Sequence, residues 1–367
     1  MSQTRRLGVE AALVRGELLR GDVALADGRI AEVGLNSARG RGIAAPGFVD
    51  LQVNGFAGVD FFSADADAYR RAGEALLQTG VTAYQPTFIT SPEMELEAAL
   101  HELPAEDGAS PRVLGAHLEG PFIAARRLGT HPPDARRDPD LALLERLLAG
   151  GRVTHMTLAP ELPGALELVE FLRARGVTVS CGHSDATAAE AHAAFKHGAT
   201  TVTHIFNAMR PFAAREPGLA GAALASSVVS VQVILDGVHL ADDTARLVWQ
   251  AAAGRVALVT DAVAAAGVGD GNYRLASIDV EVTNGVARDG NRALAGSTVS
   301  MIEAVRNLVE LGAPLASALA AASAVPARIA GRPDLGTLEP GSYADVVVLD
   351  DALTIERVVA DGTDVLG

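Results

Sequence analysis

Between about Val49 and Thr260, short runs of β-branched residues alternate with segments rich in alanine, leucine and glutamate, the pattern of repeated strand–helix units around a parallel sheet. Eight runs have strand character: Val49–Val53, Val81–Tyr84, Val113–His117, Val153–Leu158, Val177–Cys181, Thr200–Ile205, Val229–Leu235 and Val256–Thr260. Helical periodicity fills the intervals, as in Ala66–Gln78 and Leu141–Leu148. Eight such units predict a TIM-type (β/α)8 barrel.

The two ends read differently. Leu7 to Val33 holds short alternating strands with a turn at Asp27-Gly28, and Gly336 to Gly367 holds Ala344-Asp345-Val346-Val347-Val348-Leu349 and a second turn at Asp361-Gly362. Both are hairpin signals without a helical layer. The economical arrangement pairs them into one small flanking β domain, a β-sandwich of residues 1–47 plus 333–367 beside a catalytic barrel of residues 48–332. A further segment, Asn272 to Gly290, with strand-like Val280–Val282 and Asn284-Gly285, predicts a hairpin inserted after the eighth strand.

Composition sharpens this picture. A chain of 367 residues with 49% hydrophobic residues can bury the core of one large and one small unit. A net charge of -15 repels nucleic-acid phosphates and anionic membrane surfaces, so neither is an expected partner, and an anionic ligand has to meet a local cationic pocket. The single cysteine, Cys181, cannot form an intrachain disulfide. No signal-peptide pattern or membrane-length apolar run is visible, so a cytoplasmic location is expected.

Three stretches carry metal-capable side chains: Gly115-Ala116-His117-Leu118-Glu119-Gly120-Pro121-Phe122, Gly182-His183-Ser184-Asp185-Ala186 and Thr203-His204-Ile205-Phe206-Asn207-Ala208-Met209. Glu119, His183 and His204 together offer one carboxylate and two imidazoles, a catalytic zinc set that leaves a position open for water. They follow the third, fifth and sixth strands, and Asp261 follows the eighth, which is the barrel end where active sites gather. Each residue also has a bland reading, a satisfied structural histidine or an N-cap aspartate. Their joint placement favours the site. His101, His192 and His197 read as surface residues, His155 as either interior or not, and Cys181 as a thiolate ligand or a buried small apolar residue.

These residues resemble the amidohydrolase superfamily and, within it, the N-acetylglucosamine-6-phosphate deacetylase family. The resemblance runs from Ala45-Pro46-Gly47-Phe48-Val49-Asp50 through the three stretches above to Arg215-Glu216-Pro217-Gly218, Asp236-Gly237-Val238-His239, Leu294-Ala295-Gly296-Ser297 and Gly341-Ser342-Tyr343-Ala344-Asp345. Many superfamily members carry His-x-His after the first strand as ligands for an additional metal. Here those positions are Gln52 and Asn54, and amides are poor ligands for transition metals, so the resemblance implies a single divalent ion. Zinc is the expected ion, and Fe2+, Co2+ or Mn2+ tolerate the same ligands.

The resemblance implies hydrolysis of the acetyl group of N-acetylglucosamine 6-phosphate in amino-sugar catabolism, by a homodimer. It places Glu119, His183 and His204 on the metal, Asp261 as acid–base and His131 as polariser of the scissile carbonyl. Arg215 and His239 would hold the phosphate, one of them across a subunit interface, and Thr130, Asn207, Ala208, Leu294, Ala295, Gly296 and Ser297 would meet the sugar. N-acetylgalactosamine 6-phosphate, differing at one stereocentre, is the nearest alternative substrate. Dihydroorotase- and aminoacylase-like amidohydrolases usually retain the first-strand His-x-His and often a fourth-strand lysine, both missing here. A catalytically silent binding barrel is a third alternative, against which Glu119, His183, His204 and Asp261 stand together.

Overall fold

A computed structural model describes residues 4–36, 40–106 and 111–366. Eight parallel strands form the barrel: β1 Phe48–Val53, β2 Val81–Ile89, β3 Ala116–Glu119, β4 Val153–Leu158, β5 Thr178–Cys181, β6 Thr201–Val202, β7 Ser230–Val233 and β8 Val256–Leu258. They pair in sequence order, and the ring closes where Asp261 N–H donates to the Gln52 carbonyl at 2.9 Å and Asn54 N–H to the Ala262 carbonyl at 2.8 Å. Thr260 Oγ1 donates to buried Asp50 Oδ2 at 2.6 Å across the same seam.

A helix follows every strand, the first being Ala66–Gln78 and the last Met301–Glu310. Local chemistry sets their starts. Asp65 accepts from Ala68 N–H at the first, and Thr187 with Glu190 forms a capping box at Ala188–His197. Two more helices, Leu315–Ala322 and Ala324–Ile329, pack against β1 and β8. No helix among the described residues is long and apolar enough to cross a membrane.

Strand lengths depart from the hydrophobic runs in instructive places. β2 continues through Pro86 to Ile89, because Pro86 lacks an N–H yet still pairs in register with Val53. β6 stops at Val202 although the apolar run continues to Ile205, because His204, with φ of 27°, breaks the extended backbone even though the Thr203 and Ile205 N–H groups still bond the Cys181 and Gln232 carbonyls. The run at Val113–His117 splits into Arg112–Val113 and β3 around Gly115, whose φ of +101° and close approach to the Arg152 carbonyl exclude a Cβ.

Both chain ends build the flanking β domain. Ile43–Pro46 pairs antiparallel with Val346–Leu349 at the centre of a six-stranded sheet, and a three-stranded sheet of Arg5–Arg6, Asp22–Ala26 and Arg29–Leu35 faces it. Ala12, Val23, Leu25, Ile30, Ala44 and Val346 share the core between the two sheets. The Asp27-Gly28 and Asp361-Gly362 turns have positive φ at both residues, as tight hairpins require. The segment after β8 corrects the expected hairpin: it is a three-stranded antiparallel meander of Gly271–Leu275, Ile278–Thr283 and Val286–Asp289. Asn284-Gly285 turns only its last two strands, and the weakly patterned first strand carries few apolar residues to betray it.

Barrel and flank meet over a buried ion pair. Arg112, at the foot of the third unit, donates from Nε to Asp345 Oδ2 at 3.3 Å and also pairs with Asp361, while Arg29 and Arg112 stack on opposite sides of the Tyr343 ring. Burial pushes the Asp345 carboxyl up to about 6 in spite of Arg112. A raised carboxyl favours folding less once the pH exceeds its unfolded pKa. Arg112→Met should therefore cost about 3 kcal/mol near neutral pH by leaving an unpaired buried carboxylate. Denaturant titrations should show the loss shrinking as pH falls and Asp345 protonates; a loss that is independent of pH contradicts this account.

Candidate active site

At the carboxyl ends of the strands, Glu119 closes β3, His183 follows β5 and His204 follows β6, and all three side chains are buried. Glu119 Oε1 lies 3.0 Å from His183 Nε2 and 2.7 Å from His204 Nε2, and the two imidazole nitrogens are 3.1 Å apart. His183 Nδ1 donates to the Arg127 carbonyl at 2.8 Å, which leaves its Nε2 lone pair facing the other two donors. Three electron-pair donors crowded on one point fit a cation. Among the described residues this trio is the one group with metal-ligand spacing.

Backbone conformation aims these groups. His183, His204 and Asp261 have φ of 47°, 27° and 49°, a region that costs a non-glycine residue about 1–3 kcal/mol and persists only where surrounding structure imposes it. Below them the barrel interior is a string of hydrogen-bonded polar side chains. His117 Nδ1 donates to the Leu51 carbonyl at 3.1 Å, and its Nε2 meets Thr157 at 2.7 Å; Thr157 meets Thr203 at 2.7 Å. His117 stacks on His155, whose Nδ1 contacts Gln85 Oε1 at 2.9 Å. Both are interior groups, His117 bonded at both ring nitrogens and His155 at Nδ1 alone with its Nε2 buried and unpartnered, and burial pushes His117 down to about 4. Cys181 is fully buried, with its thiol pushed up by burial, and lies outside the trio. His101 and His192 are exposed, and His197 pairs with Glu170.

Asp261 faces the trio. Asn54 Nδ2 donates to its Oδ1 at 2.7 Å, and burial, followed by the charge of Glu119, raises its carboxyl to about 6. Burial also works against ionised Glu119, but the imidazoles of His131, His183 and His204 around it outweigh that and hold the carboxyl well below its ordinary range. His131 is buried on the loop after β3, 3.6 Å from Glu119 Oε2 through Nε2. His131 Nδ1 lies 2.9 Å from Thr90 Oγ1, whose hydroxyl donates to the Glu119 carbonyl at 3.1 Å, and the Thr90 backbone N–H approaches the same nitrogen at 3.4 Å. Burial keeps that ring neutral by pushing it down to about 4.

These groups line a cavity of about 220 Å³. Thr130, Asn207, Ala208, His239, Leu294 and Gly296 complete part of its wall. The inserted meander contributes Leu275, and its Asp289 accepts from Thr130 Oγ1 at 3.1 Å, fixing the loop after β3. His239 is oriented by its Nδ1 contact with Asp236 Oδ2 at 2.7 Å. Gly296, with φ of +70°, lies where a Cβ would meet the Asp261 carbonyl at 2.6 Å, so only glycine lets that loop close on Asp261.

Three expected residues lie outside the cavity wall. Ala295 and Ser297 are buried behind it, Ser297 bonding the Thr260 carbonyl at 2.5 Å, and Arg215 is exposed on the loop after β6. Conversely, Ile89, Thr90 and the Asn54–Asp261 bond were not legible as site features in the sequence. Ile89 ends the hidden extension of β2 past Pro86 and Thr90 follows it, and Asn54 stood out only as a missing histidine.

The chain belongs to the amidohydrolase family, whose description fits residues 43–365. That family is metal-dependent, and Glu119, His183 and His204 form the candidate metal site here. Within it, the chain is 36% identical to an N-acetylgalactosamine-6-phosphate deacetylase of Escherichia coli O157:H7, over 98% of this chain and 97% of that protein. It is 38% identical to the human N-acetylglucosamine-6-phosphate deacetylase, over 87% and 82%. Its structure matches that of an aspartate-to-alanine variant of the Mycobacterium smegmatis N-acetyl-D-glucosamine-6-phosphate deacetylase, solved with N-acetyl-D-glucosamine-6-phosphate, with a TM-score of 0.95, 36% identity and complete coverage of both chains.

Protons compete with a metal for these ligands. The charge and hydrogen bond of Glu119 overcome burial and raise the His204 imidazole above its ordinary range, so an ion has to displace a proton near neutrality. Apparent metal affinity, measured by chelator competition, should rise steeply between about pH 6 and pH 8. A flat profile over that range contradicts proton-linked binding at His204.

Proposed function

We propose that this protein removes the acetyl group from N-acetylglucosamine 6-phosphate, giving glucosamine 6-phosphate and acetate, in amino-sugar catabolism. The observation that carries this reading is the set of groups around one cavity: the Glu119, His183 and His204 trio, Asp261 opposite it, and a neutral His131 whose Nε2 faces Glu119. An N-acetylgalactosamine 6-phosphate substrate is the second reading, supported by the E. coli relative that spans nearly the whole chain.

A divalent ion, with zinc the first choice for two imidazoles and a carboxylate, supplies Lewis acidity and lowers the pKa of water when bound to this trio. The protein's own groups do the rest. Asp261, held at Oδ1 by Asn54, takes a proton from the attacking water and returns it to the departing amine nitrogen as the C–N bond breaks. A carboxyl poised at about 6 suits both halves of that task. His131 polarises the acetyl carbonyl as negative charge builds on its oxygen. Thr130, Asn207, Ala208, Leu294 and Gly296 shape the sugar subsite, with Ala295 and Ser297 holding its loop from behind.

The phosphate calls for cations, and among the described residues no lysine or arginine lines the cavity. His239 supplies one group, pointed by Asp236. We assign Arg215 as the second, acting from the partner subunit of a homodimer, since it is exposed outside its own cavity. Nearby Phe212 and Leu247, 56% and 55% exposed, form with Phe206 and Leu240 an apolar surface beside His239 that suits a dimer contact. We assign the enzyme to the cytoplasm, and the division into residues 1–47 plus 333–367 and 48–332 to its two domains.

Asp261→Asn should retain metal and fold while turnover falls by about 10²–10⁴-fold, the usual worth of a general acid–base group; near-normal turnover removes Asp261 from the mechanism. Arg215→Ala should raise KM for the phosphorylated sugar far more than for the unphosphorylated one. Mixing and re-equilibrating Asp261→Asn with Arg215→Ala subunits should recover activity, because one site of each heterodimer then has both groups. No recovery would assign Arg215 to its own subunit or to no role.

A further inference from the structure

The loops that carry the candidate metal ligands are tied together by a residue that has no part in the chemistry above. We propose that Asp185 is a positioning residue for the metal site, acting through Arg127 on His183; this rests on the metal-hydrolase reading of the cavity. Asp185 follows His183 by two residues, in the loop after β5. Its Oδ1 accepts from Arg127 Nε at 2.9 Å and Nη2 at 2.6 Å, and Arg127 lies on the loop after β3. The backbone carbonyl of that same Arg127 accepts from His183 Nδ1 at 2.8 Å. The side chain of Arg127 is thus anchored to the loop whose histidine its carbonyl orients, a closed circuit of three contacts.

A second arm reaches the loop after β6. Arg210 Nε donates to the Asp185 carbonyl at 2.7 Å, its Nη2 lies 3.4 Å from Asp185 Oδ2, and its backbone N–H donates to the Ser184 carbonyl at 2.9 Å. Glu161, after β4, holds the same stretch from below: Ser184 Oγ donates to its Oε2 at 2.8 Å and Asp185 N–H to its Oε1 at 2.5 Å. Asp185 therefore joins the loops after β3 and β6, which begin at Glu119 and His204, to the loop that begins at His183. The pairs are partly exposed, and ion pairs of that kind contribute little to stability. What the tie does contribute is direction: the Arg127 carbonyl selects the His183 tautomer and ring orientation that a metal requires. His183, at a φ of 47°, has no regular ladder to hold it otherwise.

The test is metal affinity in Asp185→Asn and Arg127→Gln, measured by chelator competition with Co2+, together with the visible absorption of the cobalt-loaded protein. Each variant keeps the three ligands and the Arg127 carbonyl. Each should bind Co2+ about 10–100-fold more weakly, as loss of a group that orients a metal-bound histidine does, with an altered cobalt spectrum. The double variant should be little weaker than either single one, since both cut the same circuit. Asp185→Glu should recover part of the affinity. Affinity within about threefold of wild type and an unchanged spectrum in the folded variants would overturn the tie even if their thermal midpoints fall, which a merely structural ion pair would produce. Wild-type protein that takes up no Co2+ would overturn the metal-hydrolase reading along with it.

Discussion

Three electron-pair donors held within 3.1 Å of each other, Glu119 Oε1 and the Nε2 atoms of His183 and His204, are the arrangement on which the rest of this structure depends. Left to themselves such groups would separate and hydrate. A buried carboxylate, two desolvated imidazoles and left-handed backbone at both histidines all oppose it. The barrel supplies the opposing rigidity, with parallel strands locked in order, a closed seam between β1 and β8, and an extensive apolar core around the strands. A cation at the meeting point turns the crowding from a cost into a binding site.

The same crowding sorts the two carboxyl groups. Glu119, surrounded by three imidazoles, is held ionised, whereas Asp261, buried beside that negative charge with one amide donor, is pushed up toward neutrality. Two carboxyl groups with opposite shifts in one cavity are the pattern that divides ligand from acid–base. Asn54 sits where related barrels would have a metal-binding histidine, and it serves Asp261 instead.

Much of the fold was legible because barrel strands buried on both faces read as continuous apolar runs, and Asp-Gly or Asn-Gly pairs mark tight turns. The misreadings share one cause: the ladder, and not local hydrophobicity, decides where a strand ends. Pro86 looks like a terminus and is not, while Ile205 looks like strand and lies beyond the turn at His204. The meander's first strand, Gly271–Leu275, is too polar on one face to be seen before its partner is known.

By itself the sequence determined the class of fold and singled out the candidate ligands and their order along the strands, because residue spacing and side-chain chemistry are local properties. It also singled out Asp261 and the missing first-strand histidines. Only the tertiary structure decided that His117, within the same motif as Glu119, turns away to a hydrogen-bonded stack with His155, since strand pairing decides which groups surround each side chain. It alone placed Arg215 outside its own cavity, and it brought Asp185, Arg127 and Arg210 into one knot around His183. Contacts between loops that lie far apart in the chain have no local signature, and here they govern how the ligands are aimed.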